Sequence, residues 1–369
     1  MIAVSHCAAR RPNVEAREPP NCTSGPVCHD AAVRILVVGG TQFVGRHIVN
    51  EFLMRGDEVT LFHRGRTNPE LFTELEHRLG DRDKDLSTLD TGQWDVTVDT
   101  SAYVPRQVRV LAETLGSRGG RYIHISSVSV YAPLPSAGAD EDAPHVVLDD
   151  PTTEVITGLT YGGLKSLCEA QTNKDFGPNG AGWSGAMPTI VRPTYVAGPN
   201  DHTGRFTWWV ERIARGGDVL APGPRSNPFQ VIDVRDCAHF VASLAHSSRS
   251  GIFHVAGPRP PFTFENFLDA VVREVGPDTV DLRWVEAQKL LDAGVDEVTF
   301  PLWAALDGSR NTSSLDPRRA LGAGLQIRPL SETIRDVHAH VATQPTTTRA
   351  EVGIESVRER SLLSQLVRE

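Results

Sequence analysis

The chain has 369 residues, of which 40% are hydrophobic and 22% are charged, and its formal net charge at pH 7 is -9. This composition is typical of a globular protein with one large or two medium domains, and the negative charge gives no electrostatic reason to bind nucleic acid. The sequence contains no apolar run of about 18 residues, so we expect no membrane partner. Its N-terminus lacks the apolar stretch of a secretory signal, and we therefore expect a cytoplasmic protein.

The N-terminal tail and the cysteines indicate no structural site. Residues 1–33 are rich in Pro, Arg and small polar residues without periodicity, which predicts a disordered tail or a start codon assigned too early. The five cysteines are odd in number and form no C-x-x-C pair, which argues against a disulfide framework and against a metal site. They are Cys7, Cys22, Cys28, Cys168 and Cys237.

Between residues 34 and 192, apolar strands alternate with helical segments. The pattern is typical of an α/β protein with a Rossmann doubly wound parallel sheet and helices on both faces. The predicted strands are Ile35–Val38, Glu58–His63, Leu75–Leu79, Asp95–Asp99, Tyr122–Ser126 and Thr189–Val191. The predicted helices are Phe43–Met54, Pro105–Leu115 and Tyr161–Asn173.

After Pro193 the alternation breaks, and residues 193–230 with 258–341 are interpreted as a smaller C-terminal substrate lobe. Residues 231–257 are assigned to the Rossmann domain, because two short apolar stretches there are typical of strands that rejoin the main sheet. These strands are Val231–Asp233 and Ile252–Val255, and the helices predicted in the lobe are Phe206–Ala214, Phe264–Val275 and Leu330–Val341.

Two charged segments border the lobe. The sequence Asp233-Val-Arg-Asp236 is expected to fix a hinge between the two parts, or to form surface ion pairs. Residues 342–369 are predicted to be a linker followed by a terminal helix within Glu351–Arg368, whose apolar residues recur at roughly helical spacing. That helix packs on the rest of the protein or on a second subunit of a homodimer, or else it is a frayed tail.

The segment Ile35-Leu-Val-Val-Gly-Gly-Thr-Gln-Phe-Val-Gly45 places a glycine-rich turn between the first strand and the first helix. Glycines there remove Cβ atoms, so that the backbone approaches a pyrophosphate bound at the N-terminus of the helix. The turn therefore predicts a dinucleotide site. Its expected contacts are Gly39, Gly40, Thr41, Gln42, Phe43, Val44 and Gly45.

The end of the second strand distinguishes between the two nicotinamide cofactors. NAD is favoured by an acidic residue at this position, whereas this chain has His63, Arg64 and Arg66. Guanidinium groups suit a 2′-phosphate, so the sequence favours NADP over NAD, unless both arginines are simply solvated. Asp81 after the third strand is expected at the adenine or in an ordinary turn. The residues after the fourth strand complete the predicted contacts: Thr100, Ser101 and Ala102.

Tyr161 and Lys165 are four residues apart on a predicted helix, so their side chains share one face. An ammonium group near a phenol favours the phenolate, and we therefore expect the pKa of Tyr161 to be lowered. Such a tyrosine exchanges a proton with a substrate, and a dinucleotide site earlier in the chain indicates hydride transfer.

Together, these motifs and the Ser-rich segment Ile125-Ser-Ser-Val-Ser-Val-Tyr131 resemble the short-chain dehydrogenase/reductase superfamily, and most of all its extended branch, the NAD-dependent epimerase/dehydratase family. The resemblance implies that Tyr161 gives or takes the proton at the substrate oxygen, and that Lys165 also contacts the nicotinamide ribose. It implies that Ser127 hydrogen-bonds the substrate oxygen, with Ser126 and Ser129 as near alternatives.

Three positions depart from the family pattern. Gln42 stands where the turn has its middle glycine, Tyr195 replaces an asparagine of the nucleotide-sugar enzymes, and Phe229 replaces an arginine that binds their diphosphate. The last two changes argue against a nucleotide-sugar substrate, although replacement charges are available at Arg205, Arg212, Arg215 and Arg225. Five aromatic residues of the lobe are expected in an apolar pocket or in its core: Phe206, Trp208, Trp209, Phe229 and Trp303.

The function that the sequence favours is that of an NAD(P)-dependent reductase or dehydrogenase acting on a carbonyl or secondary alcohol of a non-nucleotide small molecule. A sugar epimerase or dehydratase is the second candidate. A third comes from another class, because Val59-Thr-Leu-Phe-His-Arg-Gly-Arg-Thr-Asn68 and Gly80-Asp-Arg-Asp83 resemble chloroplast stem-loop-binding proteins, which bind RNA. A redox-sensing protein that binds the cofactor without catalysis is the fourth.

Overall fold

The structure is a computed structural model that describes residues 32–134, 136–296, 299–305, 311–344 and 352–367. Within it, Val33–Glu369 form one compact unit. Nearly all of the predicted tail and of the predicted linker lies outside the described residues.

A parallel sheet forms the centre of this unit. The strands are β1 Arg34–Val38, β2 Glu58–His63, β3 Glu76–Leu79, β4 Val96–Asp99, β5 Arg121–Ile125, β6 Thr189–Pro193, β7 Tyr195–Ala197, β8 Asp218–Pro222, β9 Val231–Asp233, β10 Gly251–Val255 and β11 Asp281–Val285. Seven of them pair in the order β10-β6-β5-β4-β1-β2-β3, and every pairing is parallel. The winding reverses between β1 and β4, and such a reversal opens a crevice at the carboxyl ends of the strands.

The helices of the described residues cover this sheet and continue into the C-terminal lobe. They are α1 Phe43–Arg55, α2 Pro105–Leu115, α3 Tyr161–Asp175, α4 Arg205–Ala214, α5 Val234–Ala245, α6 Phe264–Val275, α7 Ala287–Asp292, α8 Arg318–Gly322, α9 Leu330–Thr343 and α10 Ser356–Leu366. None of them is both long and apolar enough to cross a membrane. The predicted α/β class and Rossmann sheet are confirmed.

One predicted strand does not join the main sheet. Val231–Asp233 pairs instead with Tyr195–Ala197 in a separate two-stranded ribbon. The edge of the main sheet beyond β6 is already occupied by β10, which pairs with β6 over five residues. The prediction for β9 was therefore wrong, whereas the one for the strand ending at Val255 is confirmed.

The segment predicted to be a hinge is the N-cap and first turn of α5. The side chain of Asp233 accepts a hydrogen bond from the backbone N–H of Arg235 at 2.8 Å, and Asp236 pairs with Arg328 at 2.7 Å. Thr333 on α9 also donates to Asp233. These contacts connect the start of α5 to the C-terminal lobe.

The C-terminal lobe has a hydrophobic core of its own, rich in aromatic rings. Phe229 stacks on Phe267 with ring centroids 4.4 Å apart, and the indole N–H of Trp209 donates to the carbonyl of Pro301. The five aromatic residues considered for a substrate pocket pack in this core or against it: Phe206, Trp208, Trp209, Phe229 and Trp303. The pocket alternative was therefore wrong. Leu362 of α10 is buried in the same core, so the terminal helix packs on its own chain.

Candidate active site

A cavity of about 450 Å³ lies at the carboxyl ends of β1, β2, β3 and β4. This is the crevice where open α/β sheets bind dinucleotides. The predicted cofactor residues that line it are Gly39, Gly40, Thr41, Gln42, Phe43, Val44, Gly45, His63, Arg64, Arg66, Asp81, Thr100 and Ser101. Three other predicted cofactor residues do not line it. Ala102 is buried, and its carbonyl accepts a hydrogen bond from Lys165. Tyr161 and Lys165 line an adjoining cavity.

The glycine-rich turn has the shape that a phosphate cradle requires. Gly39 has φ +106°, and a Cβ there would lie 2.3 Å from Thr100 Oγ1. A Cβ on Gly45 would lie 2.8 Å from the backbone nitrogen of Gly40, so only glycine lets the helix approach the turn. Gln42 has φ −135° and ψ 137°, an extended conformation open to any residue, and its exposed side chain lines the cavity. The missing middle glycine therefore causes no conformational conflict.

The loop after β2 is organised by a pair of histidines. His63 Nδ1 accepts from the backbone N–H of Gly65 at 3.0 Å, and its Nε2 lies 2.8 Å from Nδ1 of His77. Burial, together with the neighbouring His77, lowers the pKa of His63. Arg64 and Arg66 flank this turn, are exposed and line the cavity. Neither forms an ion pair within the described part of the chain.

Arg82 is a cavity residue that the sequence analysis missed. It is almost completely buried and forms two 2.8 Å contacts with Asp99, whose carboxylate also accepts from Tyr122 at 2.8 Å. Although burial opposes it, the Arg82 charge lowers the pKa of Asp99. Arg82 thus lines the cavity, and its partner Asp99 is buried behind it. The signal that could have identified it is the position of Arg82 directly after Asp81, at the end of a strand.

A second cavity of about 460 Å³ adjoins the first and contains Ser127, Tyr161 and Lys165. The two cavities share four lining residues: Phe43, Val44, Thr100 and Tyr103. Tyr161 and Lys165 lie in the first turns of α3, and Ser127 follows β5. The fold thus brings the three predicted catalytic residues together, directly beside the dinucleotide crevice.

The lysine is held by the backbone. Its Nζ donates to the carbonyls of Ala102 at 2.9 Å and Ile125 at 2.7 Å, and burial lowers its pKa. The pKa of Tyr161 is raised, mainly because the phenol is desolvated, although hydrogen bonding with Ser127 and the charge of Arg205 oppose this shift. The expected lowering of the Tyr161 pKa was therefore wrong for this structure. At neutral pH the phenol carries its proton.

The three serines after β5 have different environments. Ser126 is buried, and its hydroxyl donates to Glu169 at 2.5 Å. That proton is therefore not free to be donated to a substrate oxygen. Ser127 caps the short helical turn that follows, and its hydroxyl donates to Ser129 Oγ at 3.0 Å. Ser127 is therefore the serine placed beside Tyr161, with Ser129 immediately behind it.

A buried ionic network supports this edge of the sheet. Arg192 on β6 pairs with Glu169 on α3 at 2.6 Å and also donates to the hydroxyl of Tyr131. That hydroxyl contacts His254 Nε2 as well. Both partners of the ion pair are almost inaccessible to solvent, so each is needed to compensate the charge of the other. Tyr131 is thus part of the support of the site and does not line either cavity.

Of the four arginines considered as replacement charges, Arg205 is the one that lines the second cavity. Arg212 pairs with Glu359 at 2.7 Å inside the lobe, and Arg225 pairs with Glu265 at 2.8 Å on the surface. Arg215 lines a different depression, next to α10. Tyr195 lines the second cavity, and the Arg205 guanidinium lies 4.9 Å from its ring centroid. Other lining residues that the sequence analysis missed are Tyr103, Thr203, Thr312 and Ser313.

A sequence relative is the chloroplast stem-loop binding protein of 41 kDa b from Arabidopsis thaliana, which is 25% identical over 263 residues. The match covers 66% of this chain and 63% of the Arabidopsis protein, so the chain spans less than two thirds of the relative's length.

Solved structures share the fold at low identity. The Thermus thermophilus UDP-glucose 4-epimerase complex with NAD has a TM-score of 0.59 and 19% identity, with 85% of this chain and 100% of that chain covered. The Bordetella bronchiseptica enzyme WbmG in complex with NAD and UDP has a TM-score of 0.62 and 16% identity, with 89% and 100% covered.

A sequence model of the NAD dependent epimerase/dehydratase family matches residues 35–256, which is more than half of the chain. The match begins with β1, includes the glycine-rich turn and Tyr161 with Lys165, and ends just after β10. The protein therefore belongs to the NAD dependent epimerase/dehydratase family, and it is an enzyme of the short-chain dehydrogenase/reductase type.

Proposed function

We propose that the protein is an NAD(P)-dependent oxidoreductase that reduces a carbonyl of a small molecule, or oxidises the corresponding secondary alcohol, with Tyr161 as the general acid and base. The observation that carries this proposal is the continuity of the two cavities. Ser127, Tyr161 and Lys165 line one of them, and it shares Phe43 and Thr100 with the dinucleotide crevice.

The cofactor, when bound, supplies or accepts the hydride. Residues 39–45 would hold its pyrophosphate, and Lys165 would contact the nicotinamide ribose. Arg64 and Arg66, exposed and without ion pairs in the described residues, supply donors for a 2′-phosphate, which favours NADP. The adjacent histidine pair would keep the loop between the two arginines in place.

The protein's own contribution is to hold and move a proton. The raised pKa of Tyr161 keeps its phenol protonated at neutral pH, so that it can donate to the oxygen of a bound carbonyl. The hydroxyl of Ser127 lies in the same cavity and would hydrogen-bond that oxygen, which stabilises the negative charge that develops there. The buried Lys165 ammonium lies on the same helical face and favours the return of the tyrosine to its anionic form in the reverse direction.

A nucleotide-sugar epimerase is the second candidate, favoured by the family and by the similar fold of the Thermus thermophilus UDP-glucose 4-epimerase. Two observations weigh against it in this chain. Phe229, at the position of the diphosphate-binding arginine, is buried and stacked on Phe267, and Tyr195 occupies the position of the asparagine. The RNA-binding alternative has the Arabidopsis relative in its favour, but the net charge of -9 opposes it.

The test is a comparison of Tyr161→Phe with the wild-type protein. NADPH consumption is followed against a panel of aldehydes, ketones and keto sugars, and cofactor affinity is measured in parallel. Because Tyr161→Phe removes the phenolic hydroxyl that gives or takes the proton and keeps the ring, turnover should fall by about 10³-fold or more, while the dissociation constant of NADPH changes less than about twofold.

Normal turnover by Tyr161→Phe would contradict the proton-transfer role. Interconversion of UDP-sugars by the wild-type protein, without net consumption of cofactor, would instead select the epimerase. Phe is the matched substitution here because it preserves the ring beside Tyr103.

A further inference from the structure

The cavity that contains Tyr161 has an unusual charge balance for this protein. The chain has 46 acidic and 37 basic residues, yet none of the described residues lining this cavity is Asp or Glu. Two lining residues are cations, Lys165 and Arg205. A cavity with cationic groups and no acid attracts anions.

The two cations differ in what they can offer a ligand. Lys165 is buried, and its ammonium already donates to two backbone carbonyls. Arg205 is exposed, donates through Nε to Thr203 Oγ1 at 3.4 Å, and lies over the Tyr195 ring. Within the described part of the chain it has no ion pair. Its terminal nitrogens therefore present the two-pronged donor set that matches a carboxylate or a phosphate.

Asp201 forms no ion pair with Arg205 among the described residues. Burial raises the pKa of Asp201, whereas hydrogen bonding by Thr203 and the charge of Arg205 oppose that shift. One oxygen of its carboxylate accepts from the backbone N–H and the hydroxyl of Thr203, both at 2.8 Å. Asp201 does not line the cavity. Two other arginines of the lobe are already paired with a glutamate. Arg212, which is buried, pairs with Glu359, and Arg225, which lies over the Trp284 ring, pairs with Glu265.

The rest of the lining is rich in hydroxyl groups. Ser127, Ser129, Thr203, Thr312 and Ser313 all line the cavity. Hydroxyls both donate and accept, which suits a ligand that itself carries several hydroxyl groups.

Arg205 and Tyr161 line the same cavity, so the cation faces the space that holds the reacting centre. In agreement with this, burial raises the pKa of Tyr161 and the charge of Arg205 opposes that shift. An anionic group bound there lies near the carbon that is oxidised or reduced, and the diphosphate arginine position used for nucleotide sugars is filled by Phe229 in the core.

We propose that the substrate is a small hydroxylated molecule bearing a carboxylate or a phosphate, and that Arg205 binds this anionic group. The inference rests on the proposed function for the identity of the reacting centre, but anion binding by Arg205 does not depend on turnover. Carboxylate and phosphate share the recognition chemistry, and the experiment separates them.

The test uses calorimetric titration of the full-length protein saturated with NADP⁺, so that the cofactor's own phosphate sites are filled. The probes are D-glucuronate, D-glucose 6-phosphate, D-glucose and UDP-glucose, each titrated into the wild type, Arg205→Gln, Arg205→Lys and Arg215→Gln. Arg215 is a suitable control, because it is an exposed arginine at the end of the same helix and lies outside the cavity.

At least one of the two small anions should bind about tenfold or more tightly than D-glucose, because hydrogen bonds to charged groups are the stronger ones. Arg205→Gln should abolish this difference, Arg205→Lys should retain part of it, and Arg215→Gln should leave it unchanged. Circular dichroism verifies that the variants fold.

Equal affinities for glucose and both anions, failure of both anions to bind, or a preference that survives Arg205→Gln would overturn the proposal. Tight binding of UDP-glucose alone would also overturn it, in favour of a nucleotide sugar. Anion binding that depends on Arg205 in a protein without any redox turnover would refute the proposed function and leave this inference standing. Tyr161→Phe should keep the anion preference, which separates the two claims.

Discussion

The cavity lined by the glycine-rich turn, for which we propose the cofactor, and the adjoining cavity with Tyr161, for which we propose the substrate, are built in different ways. Most of the first is lined by short segments that directly follow β1, β2, β3 and β4, so each contact stands at a strand end. The second draws its lining from side chains distributed between Phe43 and Ser313, many of them in loops. A cofactor site of the first kind can be recognised from local motifs, whereas a substrate site of the second kind exists only after the chain has folded.

The buried network behind the substrate cavity offers the largest expected effect. Glu169→Gln removes the charge that compensates Arg192, whose side chain is wholly buried. We expect a loss of about 3–5 kcal/mol in the free energy of unfolding, because an uncompensated charge then remains in the core. Chemical denaturation measures it, with Glu113→Gln on the surface as control. If Glu169→Gln lowers the free energy of unfolding no more than the control does, the Arg192–Glu169 ion pair does not compensate a buried charge.

The same network predicts acid sensitivity. The pKa of His254 is lowered to about 4, mainly because the imidazole is buried. Because its pKa is about 6.5 in the unfolded chain, the unfolded state binds the proton first, and stability present above that pH is lost as the pH falls toward 4. We expect the free energy of unfolding to fall by about 3 kcal/mol over this pH range because of His254. Denaturation at several pH values measures it, and His254→Gln should reduce the slope; an unchanged slope would contradict the assignment.

In the glycine-rich turn, we expect a substitution at position 45 to weaken NADPH binding strongly and a substitution at position 42 to have little effect. Gly45→Ala places a methyl group 2.8 Å from the backbone of Gly40 and should weaken NADPH binding by about 100-fold. Gln42→Gly should change it by less than about threefold, because Gln42 already has an extended backbone. Gly322→Ala, with no atom near its added Cβ, is the control. Similar losses of NADPH affinity in the Gly45 and Gln42 variants would contradict the proposed role of the turn.

Cofactor choice is the smallest of these effects. Arg64→Ala removes a hydrogen-bond donor that lines the cavity. It should weaken the binding of NADPH by about tenfold, because the 2′-phosphate then loses a charged partner. NADH, which lacks the 2′-phosphate, should be affected less than about threefold and acts as the internal control. Fluorescence titration compares the two, and equal losses would refute the preference for NADP.

The limits of sequence-based prediction follow the same division. Apolar strands and glycine turns are local patterns, so the sheet was predicted, and so was the glycine-rich turn that lines the first cavity. The pKa of Tyr161 was not, because desolvation depends on packing by distant segments, and it exceeds the opposing effects of the Ser127 hydrogen bond and the Arg205 charge. Val231–Asp233 was misplaced because strand pairing depends on which sheet edge is already occupied.

The aromatic residues of the lobe show the same limit. In the sequence, aromatic residues such as Phe206 and Trp209 are equally compatible with a pocket lining and with a hydrophobic core. Only the fold shows that these two pack in the core. Arg82 was missed because its ion pair with Asp99 joins residues from two different strand ends. Arg205 was one of four equivalent arginines in the sequence, and its place in the lining of the second cavity is what distinguishes it.

Fluorescence titration of the purified protein with NADPH and NADH tests most directly whether the two cavities form a single redox site. We expect saturable binding of both dinucleotides, tighter for NADPH, and we expect Gly45→Ala to lose this binding and Tyr161→Phe to retain it. Absence of binding by either dinucleotide, or binding that Gly45→Ala leaves intact, would contradict it.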